Sequence, residues 1–211
     1  MKGKWASGIA PRNFAWIIKD GLAVSERPGG YARSHRPVRR QEEIIWIREQ
    51  GFDRVVSLLP SPHNLHAYDE AGVVAVHIPF GPHDSVPEVL HDLLPRLEEW
   101  LGAGEKVLIH QEELSDRLQG IAAGYLVYTG LVVDPAQAIA IVEQLNQRQM
   151  GPIGRQVVSA SSDMAETVAP PRAKSRSAGT ARSRSRSGVT PRPGATPRSA
   201  ARAKGHPSPG A

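Results

Sequence analysis

Three short apolar runs in the first 110 residues restrict the fold of this 211-residue chain more than any other feature. They cover Arg54–Leu59, Val73–Pro79 and Lys106–His110. Each run has the length of a strand and is too short for an ordinary helix, and an unbroken apolar sequence is typical of strands buried on both faces of a parallel sheet. Helical segments lie between the runs. The sequence therefore predicts an α/β domain with a mostly parallel central sheet flanked by helices.

Start and stop signals predict where the flanking elements lie. Ser85 has Glu88 three residues later, which is a capping box at the start of an amphipathic helix. Asp134 precedes a proline, the residue favoured at the first helical position. The turn sequence around Asp20 predicts a hairpin near the N-terminus. The predicted elements are a hairpin over residues 14–25, with helices over residues 37–50, 87–102 and 134–149.

The composition changes sharply near residue 168. Residues 169–211 contain ten of the 26 basic residues and none of the 21 acidic ones, which leaves a net charge of −5 on residues 1–168. The segment has one large aliphatic residue and no aromatic residue, so it cannot bury a core. We expect an N-terminal arm over 1–13, a folded domain over 14–165 and a disordered Arg/Ser/Pro-rich tail over 166–211. The charge of residues 169–211 predicts non-specific binding of nucleic acid or another polyanion.

Several classes of protein are excluded by what the sequence lacks. It contains no cysteine, so it has no disulfide, no cysteine-type zinc site and no thiol nucleophile. The N-terminus has no apolar signal core, which favours a cytoplasmic protein. The apolar segment Leu118–Val133 is shorter than the roughly 20 residues that span a bilayer, so we expect a buried helix and no membrane span. The pair His63 and His66 fits no zinc spacing, and we expect neither a metal nor a cofactor.

The segment after the third apolar run carries the main functional signal. A strand ends at His110, a short loop follows, and a helix begins near Leu118. This layout directs backbone N–H groups and a helix dipole at a bound anion. The order of residues resembles the signature of the tyrosine and dual-specificity phosphatase superfamily, in which His-Cys is followed by five residues, Arg, and a helix with small residues and an aromatic. His110, Arg117 and the stretch Ala122–Leu126 fall in register with that signature.

The resemblance extends over about residues 14–160 and implies the phosphatase fold. His77–Phe80 followed by Asp84 is similar to the family's general-acid loop. Phe52–Leu59 resembles the strand that opens the sheet, and the segment ending in Arg148–Gln156 is similar to the family's closing segment. By this resemblance the anion loop consists of His110, Gln111, Glu112, Glu113, Leu114, Ser115, Asp116 and Arg117.

Three positions of the loop differ from the family pattern. Gln111 stands where the family has its nucleophilic cysteine, Leu114 replaces a glycine, and Leu118 replaces Ser or Thr. An amide does not ionise, whereas the family's chemistry requires a thiolate. A leucine is a poor substitute where the backbone needs a glycine conformation. No catalytic residue is therefore expected in this loop.

The charge of the loop also disfavours an anion. Glu112, Glu113 and Asp116 surround Arg117, which gives the loop a net charge of −2 with His110 neutral. Arg117 either contacts an anion or pairs with Glu113 or Asp116, and we favour the internal pair. His110 is expected to brace the loop through hydrogen bonds, without acting as a switch.

Two further patterns remain open between a functional and a structural interpretation. The basic residues Arg33, Arg36, Arg39 and Arg40 either form the rim of a pocket for an acidic partner or belong to a solvated helix end in which Arg39 pairs with Glu43. The pair Gly120 and Gly124 either forms a motif for helix dimerisation in a membrane or allows close packing of a helix on the sheet, and we favour the packing.

The sequence predicts a catalytically impaired phosphatase-like domain that serves as a binding or regulatory module, with a protein as a possible type of partner. One alternative is a phosphoester hydrolase of the same fold that activates water, with Asp84 or Glu112 as base and Arg117 as clamp. The other is a nucleic-acid-associated protein that acts through its basic tail.

Overall fold

The computed structural model describes residues 8–30, 36–62 and 65–168, the last without its side chain. Within these ranges the chain forms a five-stranded sheet of order β1-β2-β5-β3-β4. The strands are β1 (Ala15–Ile18), β2 (Leu22–Glu26), β3 (Arg54–Ser57), β4 (Val74–His77) and β5 (Val107–Gln111). β1 is antiparallel to β2, and every other pairing is parallel. The predicted hairpin and the mostly parallel α/β sheet are confirmed.

Six helices lie within the described residues. They are α1 (Pro37–Glu49), α2 (His66–Glu70), α3 (Val86–Gly102), α4 (Asp116–Tyr128), α5 (Pro135–Asn146) and α6 (Pro152–Val168). α2 and α6 are not among the helices expected from the sequence. α4 begins two residues before Leu118, with Ser115 as its N-cap. α5 ends at Asn146 and not near Gln149, because Gln147 has a φ of 52° and leaves the helix in the left-handed conformation.

The predicted caps differ in outcome. Asp134 caps α5, because its Oδ1 accepts a hydrogen bond from Ala136 N at 3.0 Å. Ser85 occupies the N-cap position of α3, but its side chain makes no capping hydrogen bond, so the predicted capping box is wrong. The neighbouring Asp84 side chain instead accepts from Gly81 N at 2.6 Å and closes the preceding turn.

The core lies on both faces of the sheet. One face, which carries Val24, Val56 and Ile109, packs against α3, α4, α5 and α6. The opposite face, which carries Val55 and Leu108, packs against α1 and α2. α4 is almost entirely buried, as predicted, but the buried helix expected over Leu118–Val133 ends at Tyr128, and Leu131 and Val133 beyond it are exposed. No helix in the described part of the chain is long and apolar enough to cross a membrane.

The two glycines of α4 pack against a helix and not against the sheet, which corrects the expectation from the sequence. A Cβ added at Gly120 would lie 2.7 Å from Gly154 O and 2.8 Å from the Cβ of Val157 in α6. A Cβ at Gly124 would collide with Ser161 of the same helix. The absence of these two side chains therefore lets α4 and α6 approach closely.

Other predictions concern residues outside the described ranges. These are the disordered tail over 166–211 beyond Val168, the first seven residues of the N-terminal arm, Arg33 of the basic cluster, and His63 of the histidine pair.

Candidate functional site

The loop that resembles an anion-binding loop lies at the carboxyl end of the central strand. β5 pairs with β2 on one side and β3 on the other, and all three run parallel. Glu26 is the partner of Gln111 in this register, and Ser57 is the partner of His110. The ends of three strands thus meet beside the loop, a location that commonly forms ligand sites in α/β proteins.

Gln111 is held by hydrogen bonds at both ends of its side-chain amide. Its Nε2 donates to Phe80 O at 2.8 Å, and its Oε1 accepts from Ser115 Oγ. Ser115 Oγ also accepts from Leu118 N at 3.2 Å, which is the N-cap bond of α4. Gln111, which the sequence resemblance aligns with the family's nucleophile, therefore connects the end of β5, the segment after β4 and the start of α4.

Leu114 fits the loop because its side chain enters the core. It is 3% exposed and belongs to the larger hydrophobic cluster. Among the described residues, positive φ at residues other than glycine is found at Asn13, Asp20 and Gln147, so Leu114 is not strained in this way. Arg148 Nη1 donates to Leu114 O at 2.6 Å and fixes the loop from outside. The loop is thus anchored at Leu114 by a buried side chain and by the hydrogen bond from Arg148.

His110 is buried and held neutral. Its Nε2 lies 3.1 Å from Tyr68 OH, and its Nδ1 has no hydrogen-bond partner among the described residues. Burial, together with the nearby charge of Arg27, lowers the pKa of His110 to about 3. Burial raises the pKa of Tyr68, so this pair is uncharged near neutral pH. The contact with Tyr68 joins His110 to α2, and no hydrogen bond among the described residues runs from its side chain to the loop, so the expected bracing of the loop stays a prediction.

The acidic side chains of the loop have different surroundings. Glu112 Oε2 lies 3.2 Å from Arg27 Nε, which forms an ion pair. Glu113 is exposed. The carboxylate of Asp116 lies against Gly151, where an added Cβ would be 2.9 Å from Asp116 Cγ. The negative charge of Glu112 is therefore balanced by Arg27, which directly follows β2.

Arg117 does not make the expected internal ion pair. The ion pairs among the described residues include none from Arg117 to Glu113 or Asp116, since these carboxylates contact solvent or Gly151 instead. The Arg117 guanidinium carbon lies 5.5 Å from the centroid of the Phe80 ring, which is within cation–π distance. Its Nε is buried without a hydrogen-bond partner in the described structure. Arg117 is thus packed against the segment to which Gln111 is also hydrogen bonded.

Both candidate bases of the hydrolase alternative are already engaged. Asp84 accepts the Gly81 N–H, and Glu112 pairs with Arg27. A third carboxylate, Glu26, is 7% exposed and accepts from Asn13 Nδ2 at 2.7 Å. The described residues contain no group of three histidine, aspartate or glutamate side chains that could hold a metal ion.

Three residues beside the loop are missed by the sequence reasoning: Arg27, Phe80 and Arg148. Arg27 directly follows β2, so its proximity to the loop follows from the strand order, which the sequence does not reveal. Phe80 lies in the segment that resembles a general-acid loop, and that resemblance assigns a role to Asp84 and none to Phe80. Arg148 belongs to the segment similar to the family's closing segment, and that similarity was the available signal.

The Arg39 pair predicted in α1 is present. Arg39 Nε lies 2.7 Å from Glu43 Oε1, and the other carboxylate oxygen accepts from Gly29 N at 2.7 Å. Arg39 thus belongs to an internal network, and this part of the basic cluster follows the structural interpretation.

Comparison with solved structures identifies the fold. Neither protein-family models nor curated protein sequences match this chain. Solved structures do match, among them kinase-associated phosphatase with its catalytic cysteine replaced by serine, at 18% identity and a TM-score of 0.62, covering 74% of this chain and 97% of that one. Tk-PTP in its active form matches at 22% identity and a TM-score of 0.58, covering 72% and 97%. Human DUSP28 matches at 15% identity and a TM-score of 0.54, covering 75% and 98%. The chain therefore has the fold of tyrosine and dual-specificity phosphatases.

Proposed function

We propose that this protein is a catalytically impaired phosphatase-fold domain that serves as a binding or regulatory module. The observation that carries the proposal is the position of Gln111. Its amide takes the place of the nucleophile and is hydrogen bonded to Phe80 and Ser115, so it has a structural contact at each end. A side chain held in this way stabilises the loop and supplies no nucleophile.

The chemistry of the chain supports the same proposal. With no cysteine in 211 residues, no thiolate can form the covalent intermediate. Loss of a covalent nucleophile lowers kcat by on the order of 10⁶ in a serine protease, and the oxyanion-stabilising groups that remain there give only residual turnover. Of the two candidate bases for water attack, Asp84 accepts the Gly81 N–H and Glu112 pairs with Arg27, and these contacts stabilise both carboxylates in the unprotonated form and make them weaker bases.

The proposal is tested by a turnover assay on the full chain. We expect no hydrolysis of an aryl phosphate or a phosphotyrosine peptide above the rate of a blank, because Gln111 cannot be phosphorylated. The Arg117→Ala variant is the matched control for a contaminating phosphatase. Turnover that persists through repurification and disappears in Arg117→Ala would contradict the proposal.

The variant Gln111→Cys tests whether a missing nucleophile is the only obstacle to turnover or whether the rest of the loop also prevents it. We expect it to recover little activity, because Leu114 remains anchored in the core and Glu112 and Glu113 remain beside the loop. Trapping with a phosphate analogue followed by mass spectrometry reports whether the new thiol is reactive. Robust turnover by this single variant would mean that the loop is otherwise intact for catalysis.

A further inference from the structure

Strand β4 forms an open edge of the sheet. It is the last strand in the order β1-β2-β5-β3-β4, and within the described residues it pairs with β3 alone. Val74 is 50% exposed, and the other residues of the strand are half-buried. An edge strand presents a row of unpaired N–H and C=O groups, to which another strand can be added. The outer side of β4 is therefore a surface with the hydrogen-bonding groups of a strand.

The two edges of the sheet differ in how they are protected. Proteins usually protect an edge with charged side chains, proline or a β-bulge. β1, at the other edge, has a register shift between Trp16 and Ile18. β4 pairs with β3 in unbroken register and contains no Asp, Glu, Lys, Arg or Pro. Residues 73–78 also lack glycine and are rich in valine, a combination typical of segments that pair with copies of themselves.

The outward-facing backbone groups of β4 belong to Ala75 and His77. Ile78 N donates to Ser57 O at 3.0 Å, so the backbone of Ile78 faces β3. Successive residues of a strand direct their N–H and C=O groups to opposite sides of the strand. The even-numbered residues of β4 therefore face β3, and Ala75 and His77 direct both backbone groups away from the sheet.

We propose that β4 pairs with the β4 strand of a second copy of this chain, antiparallel about a two-fold axis at Val76. Ala75 of each copy would exchange both hydrogen bonds with His77 of the other copy. Val76 would lie opposite Val76, and Val74 opposite Ile78, so apolar side chains meet across the pair. The proposal does not depend on the function of the loop after β5.

The charge and the symmetry of the strand favour a second copy as the occupant. β4 has no carboxylate, ammonium or guanidinium group that would select a partner of opposite charge. In the two-fold register His77 lies opposite Ala75, so the two histidines do not face each other as a like-charge pair. Each favourable contact occurs twice in such an interface. A short edge buries little surface, so we expect weak association.

Sedimentation equilibrium of the full chain, purified free of nucleic acid, tests the proposal. The salt concentration is about 0.15 M, which screens the net charge of the chain. Between about 10 µM and about 1 mM protein, we expect a monomer–dimer equilibrium with a dissociation constant below about 1 mM. Amide hydrogen exchange measured by NMR at both ends of this range locates the interface. The N–H groups of Ala75 and His77 should exchange more slowly at the higher concentration.

Variants test the assigned strand. Val74→Lys should weaken dimerisation at least about tenfold, because it charges the edge and removes an apolar contact twice. Ala75→Pro should weaken it by a similar factor, because it removes an outward N–H and leaves the pairing with β3 intact. Val38→Lys is the matched control, since Val38 is an exposed valine of α1. Circular dichroism shows whether each variant is folded, and Val74→Lys decides the test if Ala75→Pro is not.

Three results would overturn the proposal. The first is a chain that stays monomeric at about 1 mM. The second is equal association of Val74→Lys and the unmodified protein. The third is concentration-dependent protection confined to amides outside β4, which would mean that the copies meet through another surface.

Discussion

At the scale of single residues, His110 is a group whose ionisation the fold controls strongly. Its pKa is lowered to about 3 by burial and by the nearby Arg27, while an unfolded chain has a histidine pKa of about 6.5. The unfolded state therefore binds an additional proton between these values. The free energy of unfolding is therefore not reduced by His110 above pH 6.5, and it decreases as the pH falls from 6.5 toward 3.

This predicts a measurable loss of stability in mild acid. The free energy of unfolding should fall by about 1.4 kcal/mol per pH unit well below pH 6.5, or about 2 kcal/mol between pH 7.5 and pH 5. Urea unfolding at several pH values checks it. The His110→Gln variant should be less stable overall but should lack this slope, whereas His91→Gln, at an exposed position of α3, should keep it. An equal slope in the His110 variant would show that another group is responsible.

Much of the residue-scale chemistry could be predicted from the sequence, but the contacts could not. The spacing of His110 and Arg117 is what makes the loop recognisable in the sequence. The same spacing aligns Gln111 with the cysteine of the phosphatase signature. The partners of Gln111 are Phe80 and Ser115, one from a different segment, and no local pattern indicates their distance. The strain expected at Leu114 is absent because its φ is not positive, and its side chain enters a core that the sequence does not locate.

At the scale of elements, side chains of the loop already use one of the N–H groups at the start of α4. Ser115 Oγ accepts the Leu118 N–H, and Gln111 bridges to Ser115. We expect inorganic phosphate to bind more weakly than about 1 mM, or about −4 kcal/mol. Calorimetry, or NMR of the loop amides, measures this. Saturable binding with a dissociation constant of about tens of micromolar that is lost in Arg117→Ala would instead indicate a functional phosphate-binding site.

The contact of α4 with α6 gives a second element-scale prediction. In an open helix, Gly→Ala stabilises by about 0.5–1 kcal/mol. At Gly120 the new Cβ would meet Gly154 O and Val157, so Gly120→Ala should instead destabilise by about 1–3 kcal/mol. Gly102→Ala is the control, because a Cβ there meets nothing within 4 Å. Urea unfolding distinguishes the two, and a stabilised Gly120→Ala would contradict the close packing.

The helices differ in how well the sequence predicts them. α3 has leucines at helical spacing along its length, so one apolar face is evident from the sequence. α2 has five residues, too few for a periodic pattern. α6 is rich in Ser and Ala, and its buried residues include Val157 and Ser161. The position of α6 depends on the two glycines of α4, which is a contact between distant parts of the chain.

At the scale of the whole molecule, the strand order determines which residues surround the loop. β5 lies between β2 and β3 in the sheet, although β2 and β3 are consecutive strands in the sequence. This order brings Arg27, at the end of β2, to Glu112. The sequence predicts parallel strands but not which strands are neighbours, because buried strands have similar apolar sequences. The sequence therefore predicts which residues form the loop. It does not predict that Arg27 of a neighbouring strand neutralises Glu112.

The distribution of charge along the chain predicts how it associates with nucleic acid. Residues 169–211 carry a charge of +10, whereas residues 1–168 carry −5. Each phosphate neutralised on duplex DNA releases counterions, so binding through ten basic residues would give a slope of log affinity against log salt of up to about −9. We expect the full chain to bind duplex DNA without sequence preference, with a steep slope of this kind.

A chain ending at residue 168 is the matched comparison, since the described domain has its own core. It should lose the binding, because its net negative charge repels phosphates. Fluorescence anisotropy with two duplexes of unrelated sequence, each at several salt concentrations, measures affinity, slope and sequence preference together. If the shortened chain binds with an unchanged slope, the nucleic-acid site lies on the domain, and the charge of residues 169–211 is not what determines association.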